Sequence, residues 1–435
     1  MRPAPLLLWL LFGWLLFAIC TSIFPRLLML WAIMGGMLLI IALYDLLQLW
    51  MQTFPHVTRK AAGSLALGVW CDVELTIFSR YKADQQIEII DDYPPQADIE
   101  NLPQTLYLQA NTGVATQYQF CPQQRGNLHF NGVHLLLHSS LHLWKRYYYQ
   151  AIPQAIKVYP NFAAVTKYAL FAIENRLGQL GIRKRPRRGE GLEFHQLREY
   201  RAGDSLRQIN WNATSRLKKL ISKEYQDERD QQIIFLIDCG RRMATQDGAL
   251  SHFDHTLNAV LLLSYVALRQ GDALGLLTFS GTESRWIAPR KGMNTVNLVL
   301  NTLYDLQPTL RTSDYLNAVE QLLKHHQKRA LIILISNLRD EDNEELTIAL
   351  KLLRAKHLVL LASLREKILN EVLDAPVMQF NDALRYAAIH EYLGHRSQSQ
   401  ENFKNKGVIF VDTEPEQLAI HIVNRYLDIK RGGIL

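Results

Sequence analysis

Cysteine is scarce and scattered: Cys20, Cys71, Cys121 and Cys239 are the only thiols in 435 residues. None forms a C-x-x-C pair. That argues against zinc frameworks and dithiol redox motifs and leaves reduced thiols as the expectation. The phosphate-cradling pattern G-x-x-x-x-G-K-[ST] is missing, so the chain is not expected to hydrolyse ATP itself. The zinc-protease pattern is missing too. In "HEYLGH", His390 and His395 are five apart, about 140° around a helix, where ligands four apart would share a face. His138 and His142 have the right spacing but lie in strand-like sequence. "FSGTES" around Ser280 is not the G-x-S-x-G nucleophile elbow. A large charge excess is also absent. Against 41 acidic residues stand 48 basic ones, a formal +7, and a surplus that small does not by itself call for nucleic acid. Nothing assembles a nucleophile, a base and an oxyanion hole, so the expectation is a non-enzyme.

The first fifty residues hold little charge, only Arg2, Arg26 and Asp45. Leu6 to Ile23 and Leu27 to Leu49 are nearly continuous apolar runs separated by Phe24-Pro25-Arg26. Each is long enough to cross a hydrocarbon core of about 30 Å as a helix. Asp45 is the one acid in either run, and its place near the end predicts contact with water. Residues 1–52 are therefore expected to form a transmembrane hairpin rather than a cleaved signal peptide, for which a small-x-small cleavage site is missing. Arg2 and the α-amino group precede the hairpin, Arg59 and Lys60 follow it, and Arg26 alone sits in the turn. The positive-inside rule then places both termini and the soluble domains in the cytoplasm.

Residues 60–160 read as short alternating strands, such as "WCDVELTIFS", "QIEIIDDYPP" and "LHFNGVHLLLHSS". Turn residues separate them, which predicts an antiparallel β-sandwich. Residues 161–230 form a connecting region. It holds a helical pattern from Ala163 to Leu180 and a basic run of Arg183, Lys184, Arg185, Arg187 and Arg188. The charged, aromatic stretch "EFHQLREYRAGDSLRQINWNATSRLKKL" follows at 193–220. The basic run reads as a solvated linker, with contact to anionic lipid as its functional alternative. In the stretch after it, Asp204 or Ser205 is expected to cap a short helix. Leu206, Ile209, Ala213, Leu217 and Leu220 would line its apolar face, and Arg207 and Trp211 lie four apart, within cation–π reach. From 231 to 435 apolar strands alternate with helices, beginning with "IIFLIDC". That pattern predicts an α/β domain with a parallel sheet, whose ligands bind beyond the carboxyl ends of the strands.

The pattern G-x-G-x-E-F-x-x-L-R-x-Y-x-x-G-D-x-x-R-x-I-x-W is carried by Gly189, Gly191, Glu193, Phe194, Leu197, Arg198, Tyr200, Gly203, Asp204, Arg207, Ile209 and Trp211. With the hairpin and β domain before it and the α/β domain after it, the chain resembles the bacterial family known as domain of unknown function fifty-eight. The resemblance implies that residues 231–435 form a von Willebrand factor A-like (Rossmann-like) domain in a protein of the inner membrane. It also implies a partnership with a MoxR-type AAA+ ATPase and a client protein. A domains of that type carry a Mg²⁺ site built from D-x-S-x-S, a threonine and a later aspartate. Here Asp238 is kept, Gly240 and Arg242 stand at the two serine positions, Ser313 falls on the threonine with Asp314 beside it, and Asn337 replaces the aspartate. A guanidinium near the metal adds repulsion of several kcal/mol at an effective dielectric of about 20. No divalent metal and no cofactor are expected, and Arg241 or Arg242 is expected to pair with Asp238 in place of a cation. The altered site reads either as vestigial or as a metal-independent protein-docking face. The function expected is a membrane-tethered, non-catalytic adaptor with no nucleic-acid partner. The alternatives are a hydrolytic enzyme with an unrecognised site, or an anionic-lipid or nucleic-acid binder using residues 183–188.

Overall fold

The structure is a computed structural model, and it describes residues 1–79, 84–161, 193–201, 206–226, 231–248 and 250–432. The expected helix at 163–180, the basic run 183–188 and Gly189, Gly191, Gly203 and Asp204 of the pattern lie outside the described residues, as does Ser205. The chain divides into two compact units, Met1–Tyr159 and Pro160–Leu435.

The first unit opens with a two-residue strand β1 (Arg2–Pro3) and helix α1 (Pro5–Ile23). Proline at the first helical turn has no amide hydrogen to lose there. After the turn at Pro25–Leu27 comes α2 (Leu28–Met51). At 1.5 Å per residue the helices are about 28 and 36 Å long, and both are apolar enough to cross a bilayer, which points to membrane association. They meet at an indole clasp. The rings of Trp14 and Trp31 stack with centroids 4.6 Å apart. Each indole N–H donates to the other's backbone carbonyl, at 3.2 and 3.3 Å. Gly35 makes room for this clasp, since a Cβ there would lie 2.7 Å from the Trp14 ring.

Nine further strands build two facing sheets: β2 (His56–Lys60), β3 (Ser64–Ala66), β4 (Cys71–Phe78), β5 (Gln85–Asp91), β6 (Ala97–Glu100), β7 (Gln104–Leu108), β8 (Gly113–Pro122), β9 (Gly126–His138) and β10 (Trp144–Tyr159). One sheet runs β1-β10-β9-β5-β7 with β3 alongside β10, and the other runs β2-β4-β8-β6. Pairing is antiparallel except for β3, which runs parallel to β10. Val73, Leu75 and Ile77 alternate inward along β4, as do Ile87 and Ile89 along β5, the period-two pattern of a half-buried strand.

Two charged residues sit differently from expectation. Arg59 is no flanking cation. Its side chain and that of Asp91 are both fully buried, in a pair that joins the two sheets. Nε of Arg59 donates to Asp91 Oδ2 at 2.9 Å, Nη2 donates to Oδ1, and further N–H groups reach the carbonyls of Ile152 and Gly132. The Tyr118 hydroxyl donates to the same carboxylate at 2.6 Å. The positive charge near the hairpin's ends is thereby reduced by one. Asp45 does not meet water either. It is buried, with Oδ1 accepting the Leu141 amide at 3.1 Å, because the β9–β10 turn folds over it.

In the second unit β11 (Glu193–Glu199) pairs antiparallel with β12 (Ile221–Gln226), and α3 (Trp211–Leu217) lies between them. Asn210 caps α3 by accepting the Ala213 amide. The helix starts later than expected, so its apolar face is split. Ile209 is buried beside β12, whereas Leu206, Trp211, Leu217 and Leu220 stand exposed. The Arg207 side chain lies outside the described residues.

The remaining elements are β13 (Gln232–Asp238), β14 (Gln246–Asp247), β15 (Leu250–Ser251), α4 (His252–Arg269), β16 (Ala273–Phe279), β17 (Trp286–Arg290), α5 (Asn294–Leu303), α6 (Tyr315–His325), β18 (Leu331–Ser336), α7 (Asn343–Arg354), β19 (Leu358–Leu364), α8 (Lys367–Asp374), α9 (Phe380–Asn405), β20 (Ile409–Thr413) and α10 (Leu418–Gly432). Six strands form one sheet in the order β17-β16-β13-β18-β19-β20. All neighbours are parallel except edge strand β17. Between Gln232 and Asp238 the central strand β13 is wholly apolar, because both its faces are covered. Ile233, Phe235 and Ile237 pack with α4, α5 and α10 on one side. Ile234 and Leu236 pack with α6 and α7 on the other.

The buried Arg59–Asp91 pair gives a test. Asp91→Ala leaves the guanidinium buried and unpaired, and the expected loss is about 3–5 kcal/mol, whereas Arg59→Met with Asp91→Leu restores most of it. Urea unfolding of the full chain reads both, and an Asp91→Ala protein as stable as the parent contradicts the reading.

Candidate functional site

The carboxyl ends of β13, β16, β18 and β19 bring Asp238, Ser280, Asn337 and Ser363 to one edge of the sheet. In a parallel sheet every strand delivers its last residue to the same edge, which is where such folds place ligand-binding groups. Asp238 is completely buried at its centre. Its Oδ2 accepts the hydroxyls of Ser313 and Ser336, each at 2.6 Å, and its Oδ1 accepts the Gly240 amide at 2.8 Å. The Tyr315 hydroxyl lies 2.9 Å from Ser336 Oγ. Burial raises the Asp238 carboxyl above the ordinary range. Ser313, Ser336 and Gly240 pull it back down, and the charge of Asp342 adds to the rise. Burial also raises the Tyr315 hydroxyl, with the Asp238 charge second.

Arg242 does not pair with Asp238 as expected. Its guanidinium turns to Asp342 and Glu341, the latter at 3.2 Å. Two hydroxyls and an amide already occupy the Asp238 oxygens, while the 341–342 pair offers charge close to solvent. Arg241 contributes its backbone amide to the Arg311 carbonyl at 2.8 Å. Gly240 fits tightly here, since a Cβ would stand 2.8 Å from Ser313 Oγ and 3.0 Å from Asp238 Oδ1. Asp314 caps α6, with Oδ1 accepting the Asn317 amide at 2.9 Å, so it is already engaged by its own helix.

Asn337 belongs to a second buried group. Its Nδ2 donates to Glu366 Oε1 at 3.0 Å and lies 3.3 Å from His252 Nδ1, and His252 Nε2 sits 2.9 Å from Asp247. Burial would raise the Glu366 carboxyl, but Asn337, its own amide, Arg339 and His252 together hold it below its usual value. A third group centres on Arg396 of α9. It is buried and pairs with Asp412 at 2.7 Å, donates to Ser363 Oγ at 2.6 Å, and reaches the carbonyls of Leu338 and Leu364. Sequence reading missed Ser336, Glu366, His252 and Arg396. Ser336 was within reach, as the residue between an apolar strand and Asn337. Arg396 gives no such signal within a polar helix.

As a donor set for Mg²⁺ this edge falls short. Hard oxygens in near-octahedral array are required. Gly240 and Arg242 supply none from their side chains, and the Asn337 amide nitrogen is turned to Glu366. Only Asp238, Ser313 and Ser336 converge, and they satisfy one another. Among the described residues no group of three or more His, Cys, Asp or Glu could hold a metal.

A folded-state carboxyl raised above its unfolded value stabilises the protein below the ordinary carboxylate range, and that contribution is lost as pH rises through the folded value. Asp238→Asn removes the penalty at neutral pH. Its amide can donate to both serine hydroxyls, and its oxygen still accepts from Gly240. The variant is expected to gain stability at pH 7.5 and to lose the associated slope. A clear loss of thermal stability at that pH contradicts this.

Residues 196–386 match the family described as "Protein of unknown function DUF58". Solved structures with some likeness include conserved hypothetical protein BatB from Bacteroides thetaiotaomicron, at 12% identity over 46% of this chain and 99% of that one, TM-score 0.29. Proximal thread matrix protein 1 from the mussel byssus matches at 10% identity over 47% of this chain and 46% of that one, TM-score 0.26. Scores this low carry no argument about fold or function. No curated protein matches the chain. The family match begins within β11, covers α3 and β12, and continues through the sheet edge that holds Asp238, Ser313, Ser336 and Asn337. That segment of the chain, residues 196–386, is what matches the DUF58 family.

Proposed function

We propose that the protein is a membrane-tethered, non-catalytic adaptor. Its α/β unit is read as a von Willebrand factor A-like domain that binds a MoxR-type AAA+ ATPase and a client protein through the carboxyl edge of its sheet. The supporting observation is the closure of the Asp238 cluster. Each of its oxygens is occupied by protein donors, leaving neither an open metal position nor a base beside a free nucleophile. Such an edge can still bind protein. Arg242, Glu341 and Asp342 form a charged rim, and Leu310 stands almost fully exposed on the loop leading to Ser313. The family match over residues 196–386 fits this reading, since the partnership with the ATPase comes from resemblance to that family.

The two apolar helices fit a two-pass anchor. An inner-membrane location with the soluble units in the cytoplasm is the orientation we propose. It is supported by Arg2, Lys60, Lys145 and Arg146 at the hairpin's ends against Arg26 in its turn.

Two measurements test the reading. Affinity purification of the full chain from native membranes is expected to bring down an AAA+ ATPase, more strongly in one nucleotide state than another. Its repeated absence with and without nucleotide sinks the adaptor. Calorimetric titration of the purified protein with Mg²⁺ is expected to show no saturable heat, and micromolar binding overturns the closed-site account.

A further inference from the structure

Between the Trp14–Trp31 clasp and the sandwich lies a cleft of about 400 Å³. Its walls are almost wholly apolar. Leu7 and Leu11 of α1 face Leu38, Leu39 and Leu43 of α2, and Trp144 closes one end. The indole N–H of Trp144 is spent on the Ala42 carbonyl at 2.9 Å, so the ring presents carbon to the cleft. Leu39 and Leu43 are also open to the outside. In a bilayer this space borders hydrocarbon, and the material available to fill it is an acyl chain.

The mouth adds charge of one sign. β1 and β10 set Arg2 directly opposite Lys145, a like-charge pairing that costs stability unless something compensates it. Arg146 follows on the other face of the strand end. It donates to the carbonyls of Leu49 and Trp50 and lies over the Phe54 ring. Among the described residues none of the three makes an ion pair. Lys145 also stands opposite His138. The His138 imidazole is pushed down by burial, then by Lys145 and His142, more than Glu88 raises it, so the local field is positive. The nearby acid Asp45 is sealed beneath the Leu141 turn.

We propose that the cleft and its cationic mouth bind one anionic phospholipid from the surrounding membrane. One acyl chain lies between α1 and α2, and the phosphate sits among Arg2, Lys145 and Arg146. The lipid compensates the opposed cations and ties the hairpin to the sandwich. This rests on both helices standing in a bilayer and is independent of the ATPase partnership.

Native mass spectrometry of the full chain in detergent, titrated with phosphatidylglycerol or phosphatidylcholine, tests it. The parent protein is expected to retain one phosphatidylglycerol at a plateau, in clear preference to phosphatidylcholine. Arg2→Gln with Lys145→Gln is expected to weaken that preference by about fivefold for each cation removed in a protein that still folds. Leu43→Trp, which fills the cleft, is expected to abolish retention of either lipid. Leu39→Phe replaces it if the tryptophan variant does not fold. Equal retention of the two lipids by the parent overturns the proposal, as does uptake that rises without a plateau. Full retention in a folded cleft-filling variant, or occupation of the cleft by another protein's helix, does so as well.

Discussion

A carboxylate buried at the end of the central strand organises the second unit. Asp238 leaves β13 where three loops converge, and its oxygens fix all three. Gly240 brings in the loop after β13, Ser313 the loop before α6, and Ser336 the end of β18. An unpaired carboxylate at this depth would cost several kcal/mol. The hydroxyls therefore cannot be replaced freely, and the lack of space at Gly240 follows from the same crowding. Neighbouring polar groups repeat the arrangement in other chemistry. Asn337 ties β18 to Glu366 and His252, and Arg396 draws β18, β19 and β20 together through two carbonyls, Ser363 and Asp412. Around Asp238 itself the polar groups satisfy one another.

The first unit solves a related problem within a sandwich. Arg59 and Asp91 are both removed from water, and the pair holds only because Tyr118 and two backbone carbonyls complete the hydrogen bonds. Outside the sandwich, the two apolar helices rely on packing and on groups that satisfy each other. Trp14 and Trp31 exchange indole donors for backbone carbonyls. Arg146 and Trp144 do the same for the carbonyls of α2.

Elements were readable in the sequence wherever periodicity carried the information. The apolar spans, the alternating strands of the sandwich and the run "IIFLIDC" all declared their burial. The candidate site was readable in its strand-end residues and in the replacement of serines by Gly240 and Arg242. Partners distant in sequence were not. Arg59 looked like a flanking cation because Asp91 lies 32 residues away. Arg242 looked like the mate of Asp238 because Asp342 lies 100 residues on. The strap shows another limit. Helical spacing from Leu206 to Leu220 suggested one apolar face, but Asn210 starts the helix partway along and leaves Ile209 alone in the interior.

The proposed docking edge is tested most directly by hydrogen–deuterium exchange of the full chain, alone and with the proposed AAA+ ATPase partner. Docking at the carboxyl edge predicts slowed exchange in the backbone amides of residues 240–245, 309–314 and 337–343, with little change at the opposite ends of the strands. Protection confined to the sandwich or to the opposite edge, with these three loops exchanging as in the free protein, would contradict it.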